Sequence, residues 1–159
     1  MDFRVGIGYD AHQFIAGRPL ILGGVTIEHE KGLLGHSDAD ALSHAISDAI
    51  LGAAALGDMG QYFPDMDLKW KNADSLAMLK ECLRLVKEKG WVIGNVDSTI
   101  ICQKPKLANY IGPMIEKIAE TLGVSADKIS IKAKTTEETG FEGRQEGLSI
   151  QAVVLLQKV

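Results

Sequence analysis

The sequence has little of what marks several protein classes. Its 159 residues include two cysteines and four prolines, and aromatic residues make up 6% of the chain. Two cysteines cannot build a disulfide scaffold. Cys82 and Cys102 stand in apolar-periodic segments rather than in a CxxC or CxxH context, so we expect buried free thiols and a reducing compartment. No apolar run approaches the roughly 18 residues that span a bilayer.

Signals for export and for nucleic-acid binding are missing as well. Residues 3–7 show neither a basic region nor an apolar leader, so we expect no export or transit signal. The net charge is −4, and no basic tract has the density that binding a nucleic-acid backbone requires. These absences predict a cytoplasmic protein with no membrane and no nucleic-acid partner.

The composition that is present predicts one domain over residues 1–159. Hydrophobic residues make up 46% and charged residues 24%. A chain of this length typically buries about 70% of the surface that it exposes when unfolded, which is enough for a core without disulfides. No repeat, linker or low-complexity stretch divides it.

Hydrophobic periodicity predicts the element order β-β-β-α-α-β-α-β-β. Strands are expected at residues 3–9, 20–22, 25–27, 96–103, 128–134 and 148–157, and helices over 37–56, within 74–90 and within 105–123. Ser37 or Asp38 is the expected N-cap of the first helix. This order predicts an α+β fold, with a mixed sheet covered by helices on one face.

The histidines are clustered in the sequence. His12, His29, His36 and His44 all lie in the first 44 residues. Asp10 and His12 are two residues apart on a predicted strand, so their side chains project from the same face. That spacing suits two ligands of one metal ion.

His44 lies on the first predicted helix, away from the apolar stripe of Leu42 and Ile46. Two histidines and one aspartate would give zinc three protein ligands and leave a fourth position open, which is the catalytic pattern. The alternative is a polar strand exit at Asp10 and a solvated helix residue at His44. Spacing alone leaves both open.

Residues 32–68 contain no Lys or Arg but contain the aspartates 38, 40, 48, 58, 65 and 67. A cation is the natural partner of that excess. Three other segments suit an anion: His36 to Asp38 at a predicted helix start, the turn 103–106 with two lysines, and residues 134–138 after a strand. An ordinary N-cap and plain connecting loops are the alternatives.

Taken together, these segments resemble the 2-C-methyl-D-erythritol 2,4-cyclodiphosphate synthase family of non-mevalonate isoprenoid biosynthesis over essentially the whole chain. The motifs that carry the resemblance lie at residues 8–12, 35–40, 52–60, 63–65, 94–97, 134–137 and 143–147. The resemblance implies a metal-dependent phosphorus-oxygen lyase. In this reaction the 2-phosphate of a cytidine diphosphate-linked methylerythritol attacks the β-phosphorus, which forms a cyclic diphosphate and releases CMP.

The resemblance also implies roles for individual residues. Asp10, His12 and His44 would bind zinc or another divalent transition metal, and Glu137 would hold magnesium or manganese. His36 and Thr135 would act on the phosphates as catalytic residues. The implied substrate contacts are Asp10, His12, His36, Ser37, Asp58, Gly60, Phe63, Asp65, Asp67, Cys102, Lys104, Lys106, Leu107, Ala108, Ala133, Lys134, Thr135, Thr136, Glu137, Phe141 and Arg144. Departures from the family pattern at Cys102 and Lys134 affect only nucleotide contacts.

For the assembly, the resemblance implies a ferredoxin-like homotrimer whose active sites are shared between subunits. The final strand agrees, because Val153 and Leu155 make its second face apolar too, as burial on both faces would require. Two alternatives remain. One is a zinc-dependent hydrolase that uses metal-bound hydroxide, and the other is a trimeric nucleotide-binding sensor without turnover.

Overall fold

The chain builds one five-stranded mixed sheet and a separate two-stranded hairpin. The computed structural model describes residues 1–64 and 67–159. The large sheet has the order β4-β1-β7-β5-β6, with β5 and β6 parallel and the other neighbours antiparallel. The strands are β1 (Phe3–Ala16), β2 (Leu20–Leu22), β3 (Val25–Ile27), β4 (Lys31–Leu33), β5 (Trp91–Ile101), β6 (Ile129–Lys134) and β7 (Gly147–Lys158).

Three long helices cover the sheet, and two short ones lie in loops. They are α1 (Ala41–Ala53), α2 (Met59–Tyr62), α3 (Ser75–Glu88), α4 (Ile111–Leu122) and α5 (Gly140–Gly143). None of the helices in residues 1–64 and 67–159 is long and apolar enough to cross a membrane. The predicted α+β class with a mixed sheet is confirmed.

The ferredoxin-like part of the expectation is wrong in its connectivity. A ferredoxin-like fold has the element order β-α-β-β-α-β. Here the long strands and helices have the order β1, α1, α3, β5, α4, β6, β7. Strands β5 and β6 are parallel, and a parallel pair needs a crossover connection, which α4 supplies. The crossover helix α4 therefore precedes the third long strand, β6, whereas a ferredoxin-like fold has its second crossover helix before the fourth and last strand.

Glycines on β1 bring α1 close to the sheet. A Cβ atom at Gly6 would overlap the carbonyl oxygen of Ala49, and one at Gly8 would overlap that of Ala45. Alternate residues of a strand share a face, so Asp10 and His12 continue the face on which α1 lies. The glycine spacing therefore places the start of α1 directly over the predicted metal ligands.

The predicted start of α1 is wrong. The N-cap is Asp40, whose carboxylate accepts the N–H of Ser43 at 3.0 Å. It also accepts the N–H groups of Gly23 at 2.8 Å and Gly24 at 2.7 Å, which are the turn of the β2–β3 hairpin. These bonds to a distant hairpin decide which of three neighbouring capping residues starts the helix. His36 to Asp38 therefore lie in a loop before the helix and not at its N-terminus.

Two strands are longer than predicted. Strand β1 continues past residue 9 to Ala16, because its polar second half pairs with β7 and, near its end, with β4. Strand β5 begins at Trp91 and has an irregularity between Ile93 and Asn95. The alternation of buried and exposed residues is interrupted at that point, which explains why the hydrophobic periodicity located only the second half of β5.

The sheet face opposite α1 carries apolar side chains that the single chain leaves exposed. They are Phe3, Val5, Ile7 and Tyr9 of β1 and Val153 of β7, with 42–70% of their surface accessible. The expected burial of β7 on both faces therefore does not occur within one subunit. Its other face, including Ile150 and Val154, is fully buried.

Candidate active site

The three predicted zinc ligands meet at one point. In the part of the chain that the structure describes, Asp10, His12 and His44 form the one group of three potential metal ligands, and their ligand atoms lie within 4.8 Å of one another. The Nε2 atom of His12 is 2.8 Å and the Nδ1 atom of His44 is 3.2 Å from Oδ2 of Asp10. The alternative of a solvated His44 is thereby wrong.

Hydrogen bonding fixes the ring of His12. Its Nδ1 atom lies 2.7 Å from the carbonyl oxygen of Leu34. A carbonyl only accepts, so Nδ1 carries the proton and Nε2 is the nitrogen that faces Asp10 and can bind a metal ion.

The charges of the three groups are coupled. Burial by itself would raise the pKa of Asp10, but hydrogen bonds and charge interactions with His12 and His44 outweigh it and lower that pKa. Burial acts against the charged form of His12, yet the bond to Asp10 raises its pKa. The site therefore favours an anionic carboxylate, as a metal ligand must be.

The donor set fits a divalent transition metal. Two imidazole nitrogens and one carboxylate oxygen are ligands that zinc accepts, and three protein ligands leave a coordination position for substrate. The side chains of Asp10, His12 and His44 keep 15–23% of their surface accessible, so a ligand can reach the triad. The chemistry of these residues thus supports the metal-binding prediction without identifying the metal.

A pocket of about 310 Å³ opens at the triad. The sequence-predicted residues that line it are His36, Ser37, Gly60 and Phe63, and Gly35, Asp48, Met59, Trp70 and Met78 complete the wall. The predicted contact Asp58 comes directly before α2, and Asp67 bonds to His36 Nε2 through its backbone oxygen at 3.4 Å. The predicted contact Asp65 lies outside the described residues.

The aspartate excess in residues 32–68 has another explanation than a cation. Asp38, Asp40, Asp48 and Asp67 each accept at least one backbone N–H bond from a loop or helix start. Most of these carboxylates therefore have a backbone partner within the chain and stabilise the loops and helix starts around the pocket.

A second pocket, of about 570 Å³, contains most of the predicted nucleotide contacts. It is lined by Cys102, Lys104, Lys106, Leu107, Ala108, Ala133, Lys134 and Thr135, together with Gln103, Pro105 and His29. The Cys102 thiol contacts the carbonyl oxygen of Lys104 at 3.1 Å. Because β5 and β6 are parallel, residues following both strands emerge at the same edge of the sheet and form this pocket together.

The turn after β6 presents the predicted magnesium ligand. Glu137 is exposed and has a φ of 52°, and its N–H bonds to Thr135 Oγ1 at 3.3 Å. The N–H of Glu138 bonds to Gln103 Oε1 at 3.1 Å, which ties the turn to the second pocket. Thr136 is held by reciprocal hydrogen bonds with Thr139.

The last two predicted contacts lie in a third pocket of about 650 Å³. Phe141 and Arg144 line it together with His12 and Lys31. In this structure Arg144 forms an ion pair with Glu146, with its Nη2 atom 3.0 Å from the carboxylate.

Comparison with known proteins shows the family of this chain. A model of the YgbB family matches residues 3–157. The chain belongs to the YgbB family. It is 59% identical to the 2-C-methyl-D-erythritol 2,4-cyclodiphosphate synthase of Cupriavidus necator over 98% of this chain and 92% of that protein. The synthase of Bacillus cereus is 58% identical over 98% of this chain and 99% of its own length.

Solved structures show the same fold. A bifunctional IspDF from Campylobacter jejuni superposes with a TM-score of 0.96 at 44% identity, with 99% of this chain and 43% of that one covered. A CDP-bound 2C-methyl-D-erythritol-2,4-cyclodiphosphate synthase has a TM-score of 0.89 at 35% identity, covering 97% of this chain and 100% of that one. The family membership predicted from the motifs is confirmed.

In this YgbB-family chain the two halves of the predicted site do not share a pocket. The triad pocket and the pocket after β6 have no lining residue in common among those described. Strands β7 and β5 lie between β1 and β6. Three strand spacings of about 4.8 Å separate β1 from β6 by about 14 Å. Within one subunit, Thr135 to Glu137 therefore do not lie beside the triad.

Sequence reasoning missed several residues that line the pockets. Asp48 follows His44 by one helical turn and lines the triad pocket, so the i, i+4 spacing was an available signal. Trp70 lies between α2 and α3, and Met78 lies on α3. The rings of Trp70 and Phe63 pack edge-on with their centroids 4.6 Å apart. The rings of His29 and Phe14 lie with their centroids 5.5 Å apart, and His29 also lines the second pocket. No local pattern predicts this placement.

Proposed function

We propose that this chain converts 4-diphosphocytidyl-2-C-methyl-D-erythritol 2-phosphate into 2-C-methyl-D-erythritol 2,4-cyclodiphosphate and CMP. The observation that carries the proposal is the convergence of Asp10, His12 and His44 in a chain whose 59% identical relative is named for that synthase. An oxygen of the 2-phosphate bonds to the β-phosphorus as the bond from that phosphorus to the bridging oxygen breaks. The electron pair leaves on CMP.

This reaction needs positioning and charge neutralisation more than proton transfer. The nucleophile and the electrophile belong to one molecule, and a phosphate oxygen is already anionic at neutral pH. The site therefore needs no general base. His36, on the wall of the triad pocket, orients a phosphate by hydrogen bonding. His36 does not act together with a helix N-terminus, because α1 starts at Ala41.

The two predicted metals have separate places on the chain. Asp10, His12 and His44 would hold zinc or another transition metal, and Glu137 would hold magnesium or manganese, since a lone carboxylate beside substrate phosphates suits a hard ion. When bound, these ions would act as Lewis acids on the diphosphate oxygens. Thr135 holds the Glu137 backbone and points its hydroxyl to the same turn.

The pocket after β6 is the proposed place for cytidine. Two of the solved relatives are described as CDP complexes, one of them from Plasmodium falciparum. The rim lysines Lys104, Lys106 and Lys134 supply positive charge that the net charge of −4 conceals. Asp58, Gly60, Phe63, Asp65 and Asp67 would hold the erythritol portion, with Phe141 and Arg144 approaching the phosphates or the base.

A homotrimer with shared active sites would explain two features of the subunit. The sheet face of Phe3, Val5, Ile7 and Tyr9 is exposed, which costs about 25 cal/mol for each Å² of apolar surface left in water. Strands β1 and β6, which carry residues of the two pockets, are also about 14 Å apart in the sheet. A neighbouring copy that packs on this face could bring its nucleotide pocket to the triad.

Light scattering tests the assembly. We expect three times the 17.2 kDa chain mass, and a smaller mass for Ile7→Lys, which places a charge on the exposed sheet face. Leu68→Lys, at another exposed apolar residue outside the sheet, is the matched control and should remain trimeric. A fully active monomer would rule out shared sites.

The reaction itself is tested by phosphorus NMR with the cytidine-linked substrate, zinc and magnesium. We expect CMP and a cyclic diphosphate in equal amounts. Release of orthophosphate or of a linear ester would instead indicate a metal-dependent hydrolase, and nucleotide binding without turnover would indicate a sensor.

The two free buried thiols support a reducing, cytoplasmic site of action.

A further inference from the structure

The far side of the His44 ring is held by a buried serine. Its Nε2 atom lies 2.9 Å from Oγ of Ser75, while Nδ1 faces Asp10. Ser75 is the first residue of α3 and is fully buried. It lies 31 positions from His44 in the sequence, and the sequence motifs gave it no role.

The direction of each hydrogen bond around Ser75 follows from its neighbours. The Ser75 hydroxyl is in close hydrogen-bond contact with Oδ1 of Asp38, and the Ser75 N–H donates to Oδ2 of Asp38 at 3.1 Å. A carboxylate only accepts, so the hydroxyl proton of Ser75 is given to Asp38. The lone pairs of Ser75 are then left for His44, whose Nε2 must donate.

Ser37 is compatible with this direction. Its Oγ accepts the N–H of Ala39 at 3.1 Å, and it lies 3.1 Å from Nε2 of His44 and 3.4 Å from Oγ of Ser75. An Nε2–H group can therefore also be shared with the lone pairs of Ser37. The hydroxyl proton of Ser37 can go to Ser75, which has two lone pairs. The chain of donors ends at Asp38.

We propose that Ser75 and Asp38 are positioning residues that hold His44 in the tautomer with a proton on Nε2 and a free lone pair on Nδ1. This inference rests on the proposed metal centre, since Nδ1 is the nitrogen that faces Asp10. A metal-bound histidine commonly donates its other N–H to a fixed acceptor, and loss of such an acceptor weakens metal binding about 10–100-fold.

The same pair joins the metal centre to the pocket wall. The N–H of Asp38 bonds to the Ala73 carbonyl at 3.1 Å, and the N–H of Asn72 bonds to that of His36 at 2.9 Å. The loop that carries His36 is thus attached to the start of α3 beside the bond that orients His44. A change at Ser75 should therefore affect both the ion and the His36 loop.

Zinc affinity measured by chelator competition tests the inference without any turnover. Ser75→Ala should bind zinc about 10–100-fold more weakly than the parent. Ser43→Ala is the matched control, because Ser43 is also fully buried and also donates its hydroxyl to a carboxylate, Asp40, at 2.8 Å. Ser43→Ala should keep the zinc affinity of the parent within about twofold, although its melting temperature should fall about as much as that of Ser75→Ala.

Nitrogen-15 NMR of the zinc-loaded parent gives a second readout. We expect one slowly exchanging imidazole N–H at His44 Nε2, which disappears or exchanges faster in Ser75→Ala, because the contact to Ser37 Oγ that remains there is longer, 3.1 Å against 2.9 Å. Asp38→Asn should also weaken zinc binding, because its amide no longer obliges the Ser75 hydroxyl to donate to it. This variant keeps the test open if Ser75→Ala does not fold.

The outcomes separate the inference from the proposed function. Parent zinc binding with an unchanged affinity in Ser75→Ala, or a His44 that binds zinc through Nε2, overturns the positioning role and leaves the metal centre intact. A parent that binds no zinc overturns both. Reduced affinity with the loss of the Nε2–H signal supports the inference.

Discussion

The Nδ1 atom of His44 lies 3.2 Å from Oδ2 of Asp10, across 34 positions of sequence. This contact joins the first turn of α1 to the middle of β1 at the point where Gly6 and Gly8 allow the helix to approach. The candidate metal site and the packing of α1 on the sheet are consequently one structural feature. Changes in either should be measurable in the other.

Replacement of His44 should remove the metal. With two ligands left, we expect His44→Ala to contain little zinc after purification, because two side chains hold the ion poorly. His29→Ala is the control, since His29 lies against Phe14 and outside the triad. Metal analysis of both proteins is the measurement, and equal zinc contents would contradict the assignment of His44.

His36 should matter for turnover but not for the metal. His36→Ala is expected to keep its zinc and its oligomeric mass while kcat falls on the order of 10²-fold, as is typical when one donor to a reacting phosphate or oxyanion is lost. The measurement is CMP release at saturating substrate with zinc determined in parallel. An unchanged kcat would mean that the contact of the His36 side chain to the Asp67 backbone is structural and that the side chain does not act on the phosphate.

Glu137 should control the magnesium requirement. Glu137→Gln is expected to raise the magnesium concentration for half-maximal rate while leaving zinc in place, because removal of the charge weakens a hard-ion site. Glu138→Gln is the matched control, since it changes the adjacent exposed carboxylate of the same turn. Overlapping magnesium curves for Glu137→Gln and the parent would mean that Glu137 has another role.

Two glycine substitutions should have opposite effects on stability. A methyl group at Gly8 would overlap the Ala45 carbonyl, so Gly8→Ala should lower the free energy of unfolding by about 3 kcal/mol and displace α1. Gly52, on the exposed side of the same helix, has its nearest neighbour at 3.9 Å. Gly52→Ala should raise stability by about 0.5–1 kcal/mol.

Denaturant melts of both glycine variants give these values. The metal content of Gly8→Ala is the additional readout, since displacement of α1 moves His44 away from Asp10. If Gly8→Ala is as stable as the parent, the close approach of the helix to β1 has been overestimated.

Both thiols should be inert in the folded protein. Burial raises the pKa of Cys82 to about 12 and that of Cys102 to about 11. The thiolate is the reactive form, so its fraction at pH 8 is very small. We expect slow reaction with a thiol reagent in the native state, faster reaction as the pH rises, and rapid reaction of both in denaturant. Immediate native-state labelling at pH 8 would contradict their burial.

The sequence by itself determined the site chemistry and the class of fold. Asp10 and His12 alternate on a strand and His44 avoids the apolar stripe of its helix, and both patterns depend only on local backbone periodicity. The long helices were located because their apolar spacing and stop signals are local too: Gly123 ends α4 with a left-handed φ of 65°. The ordered motifs supplied the family.

Tertiary structure decided what depends on partners distant in sequence. Asp40 caps α1 instead of Ser37 or Asp38 because the hairpin turn at Gly23 and Gly24 donates to it. Ser75 lies 2.9 Å from Nε2 of His44 because α3 packs beside α1. The separation of the two pockets follows from the strand order, in which β7 and β5 lie between β1 and β6. Each of these contacts spans many residues, so no local pattern encodes it.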